Sequence, residues 1–317
     1  MTGLLLNKTE DFYKGGDASL LWEMTICQSL SRADAPCANA LETRASYGEK
    51  LAGFLTSRAG IKPGARIIEV GCGYGTLMES LIGHLRPSAV TMIDISPRFH
   101  EMQKTALGSH KNVSFVLSDV FDWLDTPGET ADLLISNENI GDFPAADGLS
   151  PEKVRRMLES GITQGDTLEG RSVKLIQRYG LPLPEGDEPF ALNIGAIEYL
   201  EKLKGRAKTV FLSEHSADIV LREPYSGFLD YDPAGRPRRI ELKGHAEYTI
   251  RFDHLERVAK ALGFKTERVS MLEFLGVRHD AGARFVARAE CVGNENAEIL
   301  HEFLHHVKEY ECLLLQL

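Results

Sequence analysis

Between positions 66 and 136, short stretches rich in apolar residues alternate with segments whose apolar residues recur at helical spacing. The stretches at 67–70, 90–94, 113–117 and 131–136 are typical of short buried strands. Helical faces lie between them, and Leu77, Met78, Leu81, Ile82 and Leu85 form the first. Strands that alternate with helices predict a mostly parallel sheet covered on both faces.

The remaining pattern predicts a doubly wound α/β fold with a seven-stranded, Rossmann-like sheet and a helical insertion. We expect strands at 209–213, 247–252, 267–272 and 283–289. We expect helices at 37–58, from Ser150-Pro151, at 194–204, at 253–263 with Asp253 as its cap, and from 294 onward. Leu20, Leu21, Met24 and Ile26 suggest a short additional helix.

These elements suggest a division of the chain into four parts. Residues 1–60 form an N-terminal helical segment, and 61–144 with 206–292 form the Rossmann-like domain. Residues 145–205 form an insertion or cap, and 293–317 form a C-terminal amphipathic helix.

The segment from Glu69 to Thr76 reads EVGCGYGT and lies between a predicted strand and a predicted helix. Glycines at alternate positions let the backbone turn sharply and approach a ligand, and the following helix presents unpaired amide groups at its start. The dinucleotide fingerprint is GxGxxG, whereas the spacing here is GxGxG, with an acid two residues before the first glycine. This turn therefore predicts a ligand other than a pyrophosphate.

Two further acids follow predicted strands at the same edge of the sheet. Asp94 ends the second strand, where a carboxylate can accept both hydroxyl groups of a ribose, and Asp119 follows the third strand. Ligands of open α/β sheets bind beyond the carboxyl ends of the strands, so we expect these acids and the glycine turn to line one crevice.

The segment from Glu69 to Gly75, together with Asp94 and Asp119, resembles the cofactor-binding motifs of class I methyltransferases. The resemblance implies S-adenosylmethionine as the cofactor, with Asp94 at the ribose and the neighbourhood of Asp119 at the adenine. On this basis the expected cofactor-binding residues are Glu69, Gly71, Cys72, Gly73, Gly75, Asp94, Ile95, Ser96, Asp119, Val120 and Asn137.

A narrower likeness concerns Asp94-Ile95-Ser96-Pro97 with Gln103, Asn137-Glu138, and Asp142-Phe143-Pro144. These motifs are similar to those of the MidA-like family, whose mitochondrial members assist complex I assembly by methylating an arginine. This resemblance implies an arginine acceptor, although residues 139–141 depart from the family's pattern and 145–205 does not match it.

The residues after the fourth predicted strand are expected to face the methyl acceptor. Methyl transfer needs an aligned nucleophile, and an acceptor that carries a proton also needs a base. Glu138 and Asp142 are the candidate catalytic residues, because two carboxylates there suit a cationic acceptor such as guanidinium. Glu214 and His215, after the fifth strand, are second candidates.

The sequence leaves two other functions open. One is a cofactor-binding assembly factor with little turnover. The other is a zinc hydrolase, since His301-Glu302-Phe303-Leu304-His305 matches the H-E-x-x-H signature. The simpler interpretation is that this segment belongs to an amphipathic helix, whose apolar residues pack on the rest of the protein.

Composition narrows the partners. A net charge of −10 and a pI near 5.5 argue against a protein whose main function is to bind nucleic acid. The N-terminus lacks a signal-peptide pattern and no apolar run reaches membrane-spanning length, so a cytoplasmic location is the expectation. Cysteines 27, 37, 72, 291 and 312 form no CxxC pair, which favours reduced thiols. The terminal Leu313-Leu314-Leu315 is apolar and suggests packing on its own domain or a homodimer contact, of which we favour the homodimer contact.

Overall fold

The computed structural model describes residues 3–16, 18–20, 25–161, 166–233, 235–288 and 293–317. Its strands are β1 Leu5–Asn7, β2 Arg66–Val70, β3 Ala89–Asp94, β4 Val113–Leu117, β5 Ala131–Asn137, β6 Ala145–Leu149, β7 Phe190–Leu192, β8 Ala207–His215, β9 Arg239–Glu241, β10 Ala246–Tyr248, β11 Lys265–Ser270 and β12 Tyr310–Gln316. Its helices are α1 Glu10–Lys14, α2 Ile26–Ser29, α3 Pro36–Ala40, α4 Tyr47–Ala59, α5 Thr76–Leu85, α6 Pro97–Leu107, α7 Val120–Asp125, α8 Pro151–Ser160, α9 Leu168–Tyr179, α10 Ile194–Leu203, α11 Phe252–Leu262, α12 Met271–Leu275, α13 Ala281–Arg288 and α14 Glu295–Val307.

The main sheet has seven strands in the order β11-β12-β8-β5-β2-β3-β4. Strands β2, β3, β4, β5 and β8 are parallel, and β12 is antiparallel to both of its neighbours. The chain order reverses between β2 and β5, so a crevice opens beyond the carboxyl ends of these strands. The predicted fold class is confirmed.

Helices cover both faces of this sheet. Successive residues of one strand point to opposite faces, so Ile67 joins the core under α4 and α5 whereas Ile68 joins the core under α10 and α11. Both residues are buried, as are Leu133 and Leu134 on β5. This two-sided burial explains why the parallel strands read as continuous apolar runs.

The chain's last strand, β12, differs from the predictions for the C-terminal helix and for the terminal leucines. The C-terminal helix ends at Val307, and β12 then inserts between β11 and β8. Residues 313–315 are buried in this strand, so these leucines pack in the chain's own core rather than against a second subunit.

The predicted strand at 283–289 is also wrong, since residues 281–288 form the amphipathic helix α13. Homodimer formation stays a prediction.

Two predicted boundaries differ from the structure. The helix expected at 37–58 is divided into α3 and α4, because Glu42 adopts a left-handed φ of 54° and Ser46 forms a capping box with Glu49. The strand expected at 247–252 ends at Tyr248, and α11 begins at Phe252 with Arg251, rather than Asp253, as its cap. A short helix was suggested near residue 20. The structure has α2, which begins at Ile26, while Leu21 and Met24 lie outside the described residues.

The predicted insertion and the N-terminal segment associate. Strand β1 pairs with β6 and β6 with β7, which makes a small antiparallel sheet beside the carboxyl edge of the main sheet. Helix α10, at the end of the predicted insertion, packs against α7 and α11 on one face of the main sheet. Residues 5–16 are thereby held across the crevice. No helix within the described residues is long and apolar enough to cross a membrane.

Candidate active site

A cavity of about 210 Å³ lies at the carboxyl ends of β2, β3, β4 and β5. The turns after these strands form its floor, and residues of the N-terminal segment cover it. Of the predicted site residues, those that line the cavity are Glu69, Gly71, Cys72, Gly73, Asp94, Ile95, Asp119, Val120, Asn137, Glu138 and Asp142. Gly75 and Ser96 do not line it; each caps the helix that follows its strand.

The glycine turn depends on its glycines. Gly71, Gly73 and Gly75 have φ values of 64°, 49° and 82°, in the left-handed region that other residues rarely adopt. A Cβ atom on Gly71 would also lie 2.2 Å from Nδ2 of Asn139. The turn therefore brings bare main chain to the cavity wall.

Asp94 is held in place by hydrogen bonds on both carboxylate oxygens. Oδ1 accepts the amide of Ser96 at 2.9 Å, and Oδ2 accepts the amide of Gly73 at 3.1 Å and Nε2 of Gln103 at 2.9 Å. Burial raises the pKa of Asp94 to about 6, although these hydrogen bonds oppose the rise. Asp94 thus joins the glycine turn to the end of β3, and its role at a ribose stays a prediction.

Gln103 contributes to the site as well. Its Nε2 also donates to the carbonyl oxygen of Gly73 at 2.9 Å, so one side chain on α6 fixes both the turn and the acid. Gln103 is completely buried among the apolar residues of α6. The narrower family resemblance already included Gln103 but assigned it no role in the site.

Glu69 contributes a buried carboxylate to the cavity wall. The residue is 3% exposed, and its Oε2 atom has no hydrogen-bond partner within the part of the chain that the structure describes. Burial, with a smaller contribution from the negative charge of Asp94, raises the pKa of Glu69 to about 8. An uncompensated buried carboxylate is costly, so this position favours a ligand that brings positive charge or hydrogen-bond donors.

The turn after β4 forms another part of the wall. Asp119 caps α7, with its Oδ1 accepting the amide of Phe121 at 2.8 Å. Burial raises the pKa of Asp119. The apolar ring of Phe121 and the carboxylate of Asp119 both line the cavity. A planar heterocycle with amino groups fits this combination.

Glu138 holds the N-terminal segment. Its Oε2 accepts the amide of Ile26 at 2.7 Å, and its Oε1 accepts the amide of Cys27 and Nδ2 of Asn137, both at 3.0 Å. Its backbone adopts a left-handed φ of 53°. Burial raises the pKa of Glu138, and these hydrogen bonds counteract the rise. Glu138 thus links the end of β5 to the start of α2, and its catalytic role stays a prediction.

Asp142 belongs to a cluster with two residues from distant parts of the chain. Its Oδ2 accepts the hydroxyl of Tyr13 at 2.8 Å, and Nε2 of His245 lies 3.2 Å from that hydroxyl and 3.5 Å from Oδ1 of Asp142. Tyr13 lines the cavity beside Asp142, and the ring of Phe12 stacks on His245. Sequence reasoning assigned no role in the site to Tyr13 or His245.

The second pair of candidates lies away from the cavity. Glu214 accepts the amides of Gly141 and His215, and burial raises the pKa of Glu214 to about 8. The ring of His215 packs on Tyr310 with centroids 3.8 Å apart, and burial lowers its pKa to about 3. Neither side chain lines the cavity.

The histidines of the H-E-x-x-H segment contact α13. Nδ1 of His301 lies 2.8 Å from the carbonyl oxygen of Val286, and Nε2 of His305 lies 3.0 Å from that of Ala287. Within the described ranges, no three or more His, Cys, Asp and Glu side chains are grouped as metal ligands. These contacts dock α14 on α13.

Residues 67–161 match the family model of a methyltransferase domain. A malonyl-[acyl-carrier protein] O-methyltransferase of Ilyobacter polytropus is 31% identical over 112 residues, which cover 35% of this chain and 40% of that protein. A trans-aconitate 2-methyltransferase of Methylobacterium nodulans is 28% identical over 145 residues, covering 45% of this chain and 52% of that protein. The chain thus spans about half the length of the curated relatives it matches.

The fold has a similar solved structure over nearly its whole length. An uncharacterised protein of Burkholderia thailandensis superposes with a TM-score of 0.51 at 11% identity, covering 93% of this chain and 87% of that one. This likeness concerns the fold alone. The narrower resemblance to the MidA-like family stays a prediction. The family match shows that residues 67–161 are similar to methyltransferase domains, and the order and direction of the strands show a doubly wound α/β fold.

Proposed function

We propose that this protein transfers a methyl group from S-adenosylmethionine bound in the cavity beside the glycine turn. The observation that carries the proposal is the buried Oε2 atom of Glu69, which lines the cavity and finds no partner within the described residues. S-adenosylmethionine carries an ammonium and a sulfonium group, so it brings the charge that this wall needs. Its sulfonium supplies the electrophilic methyl carbon.

The residues of this chain suggest how the cofactor is held. Asp94 accepts the ribose hydroxyls, as its place at the end of β3 favours. Gly71 and Gly73 expose main chain to the amino-acid portion. Asp119 and the first-turn amide of Val120 face the adenine. Cys72, Ile95 and Asn137 complete the wall, while Gly75 and Ser96 shape its turns.

Calorimetry with S-adenosylhomocysteine tests this site. We expect Asp94→Asn to weaken binding about 10- to 100-fold, because a hydrogen bond to a charged group is worth about 1.5–3 kcal/mol. The matched control is Asp230→Asn, since Asp230 is exposed and does not line the cavity. Circular dichroism verifies that both variants fold. Equal affinity for the wild type and Asp94→Asn would remove Asp94 from the cofactor site.

The acceptor decides between an enzyme and an assembly factor with little turnover. The relatives' names specify a malonyl-[acyl-carrier protein] and trans-aconitate, while the MidA-like resemblance implies arginine. Incubation of the protein with labelled S-adenosylmethionine and a cell extract, followed by mass spectrometry, should detect a methylated small molecule or protein. Tight cofactor binding without any labelled product would favour the assembly factor.

A further inference from the structure

Strand β4 is an outer strand of the seven-stranded sheet, and no strand of the described residues pairs with its free edge. We infer that this edge binds a second copy of the chain. Two β4 strands pair antiparallel about a twofold axis at Phe115, which joins the two sheets into one. The contact uses no group of a cofactor, so it forms whether or not the proposed function is correct.

The main-chain groups of β4 point alternately towards β3 and towards the free edge. The carbonyl oxygen of Asn112 accepts the amide of Val90 at 2.8 Å, and the amide of Ser118 donates to the carbonyl oxygen of Asp94 at 2.9 Å. Because successive residues of a strand direct these groups to opposite sides, the even-numbered residues from 112 to 118 face β3. The residues that direct their main-chain groups outward are Val113, Phe115 and Leu117.

Two of these outward amides lack an acceptor. The amide of Val113 donates to the carbonyl oxygen of His110 at 3.1 Å. The amides of Phe115 and Leu117 have no such acceptor in the part of the chain that the structure describes. A row of unpaired amide and carbonyl groups on an edge strand is a template for another strand.

The two outer strands of the main sheet differ in how they resist pairing. Strand β11, at the opposite side, carries Lys265, Glu267 and Arg268. Charged side chains on an edge strand oppose pairing with another chain. Residues 113–118, in contrast, contain neither a charged residue nor a proline. The edge of β4 is therefore the one whose sequence permits pairing.

The outward-directed residues are also apolar, and they share one face of the sheet because they alternate along the strand. Pairing about the twofold axis sets Phe115 opposite its own copy and Val113 opposite Leu117. Leu117 is 48% exposed in the single chain, and a second strand would cover it. Met102, which is 37% exposed, lies on α6, the helix that packs on β4. Cross-strand apolar pairs of this kind stabilise a sheet.

The charges beyond the two ends of β4 favour an antiparallel arrangement. Lys111 lies just before the strand, is exposed, and forms no ion pair with the residues that the structure describes. Asp119 lies just after the strand. Pairing about Phe115 sets Lys111 of one copy opposite Asp119 of the other, and the twofold axis repeats this contact. Parallel pairing would instead set like charges side by side.

Hydrogen bonds and charges together determine the register. A shift by one position would set outward-directed residues opposite residues that face β3, so the hydrogen bonds would be lost. A shift by two positions keeps the hydrogen bonds, but it sets Lys111 opposite Leu117 or Asp119 opposite Val113. The register about Phe115 is the one that satisfies both requirements. Since Asp119 lines the cavity, this register places a lysine of one copy beside the cavity of the other.

Sedimentation equilibrium of the full chain tests this contact. From micromolar to sub-millimolar concentrations, the mass should rise from the 35.1 kDa of one chain to twice that value. Leu117→Lys should weaken the association at least about tenfold, because it places two charges at the paired edge. Lys111→Glu should weaken it about three- to tenfold, because the new carboxylate faces Asp119. The matched control is Val220→Lys, since Val220 is 75% exposed and lies outside the strands, and it should not change the association.

Hydrogen exchange of single amides distinguishes pairing at this edge from any other contact between copies. In the wild-type dimer the outward amide of Phe115 should be protected, and in monomeric Leu117→Lys it should exchange at least about tenfold faster. The amides of Ser114 and Val116, which face β3, should stay protected in both proteins. Circular dichroism verifies that each variant folds.

Four results would overturn the inference. They are a wild-type chain that stays monomeric at every concentration, a dimer that Leu117→Lys leaves intact, a loss in Val220→Lys as large as in Leu117→Lys, and equal exchange of the Phe115 amide in monomer and dimer. Unchanged association in Lys111→Glu would exclude the register about Phe115. Binding of S-adenosylhomocysteine is measured separately, so its failure would overturn the proposed function and leave this contact unaffected.

Discussion

The buried carboxyl group of Glu69 should make the stability of the ligand-free protein depend on pH. Its pKa rises from 4.5 to about 8 on folding, so the unfolded chain releases this proton first as the pH increases. The stabilisation is complete below pH 4.5 and is lost as the pH rises towards 8. Since one pKa unit is worth about 1.4 kcal/mol, the full loss is about 5 kcal/mol.

Glu69→Gln removes this titration, because the glutamine amide stays neutral at every pH. Urea unfolding at several values between pH 4.5 and 8.5, followed by circular dichroism, measures the free energy of unfolding. We expect the wild type to lose more of this free energy than Glu69→Gln as the pH rises. The difference in slope is the relevant quantity, since the amide also changes the baseline stability.

Glu152→Gln is the matched control, because the Glu152 side chain is 71% exposed and pairs with Arg156 on one helix surface. It should retain the wild-type slope. Parallel curves for the wild type and Glu69→Gln would refute the assignment of a raised pKa to this carboxyl. A bound cation should lower that pKa, so calorimetry in buffers of different ionisation enthalpy should detect proton release when S-adenosylmethionine binds near pH 7.

Two further substitutions test the turn and the N-terminal segment. Gly71→Ala should reduce S-adenosylhomocysteine affinity at least tenfold, because its Cβ would displace Asn139; Gly60→Ala is the control with the same φ of 64° and no atom within 4 Å of the added Cβ. Calorimetry on both variants measures the effect, and equal affinities would contradict it. Glu138→Gln should cost about 1–3 kcal/mol of unfolding free energy, because one buried amide at the start of α2 loses its acceptor. Urea unfolding measures this cost, and the control Glu42→Gln replaces an exposed glutamate at a similar left-handed φ of 54°. A loss in Glu138→Gln no greater than in Glu42→Gln would show that the carboxylate does not hold the segment.

The tertiary structure alone brought Tyr13, Asp142 and His245 together. Tyr13 and Asp142 are 129 positions apart, and Tyr13 and His245 are 232 apart. No spacing rule connects residues at such separations, so periodicity and motifs could not bring them together. The carboxylate of Glu138 was recognisable as a candidate from its place after β5. Its hydrogen bonds with Ile26 and Cys27 depend on how the N-terminal segment folds over the cavity, which local patterns do not predict.

The end of the chain shows the same limit. Leu313-Leu314-Leu315 is a continuous apolar run, which is compatible with a strand, a helix or a subunit contact. The antiparallel place between β8 and β11 gives the run its partners, and both of its faces are then buried. That place depends on strands far away in the sequence.

The sequence by itself determined the parallel core and the glycine turn with Asp94. Strand, turn and helix are contiguous there, and the apolar runs, the positive-φ glycines and the acid at the strand end each follow from local chemistry. The folded structure decided what covers that edge and which carboxylates stay available to a ligand. The physical reason is that hydrogen bonds between distant segments, rather than local preferences, determine which charges become buried and which remain without a partner.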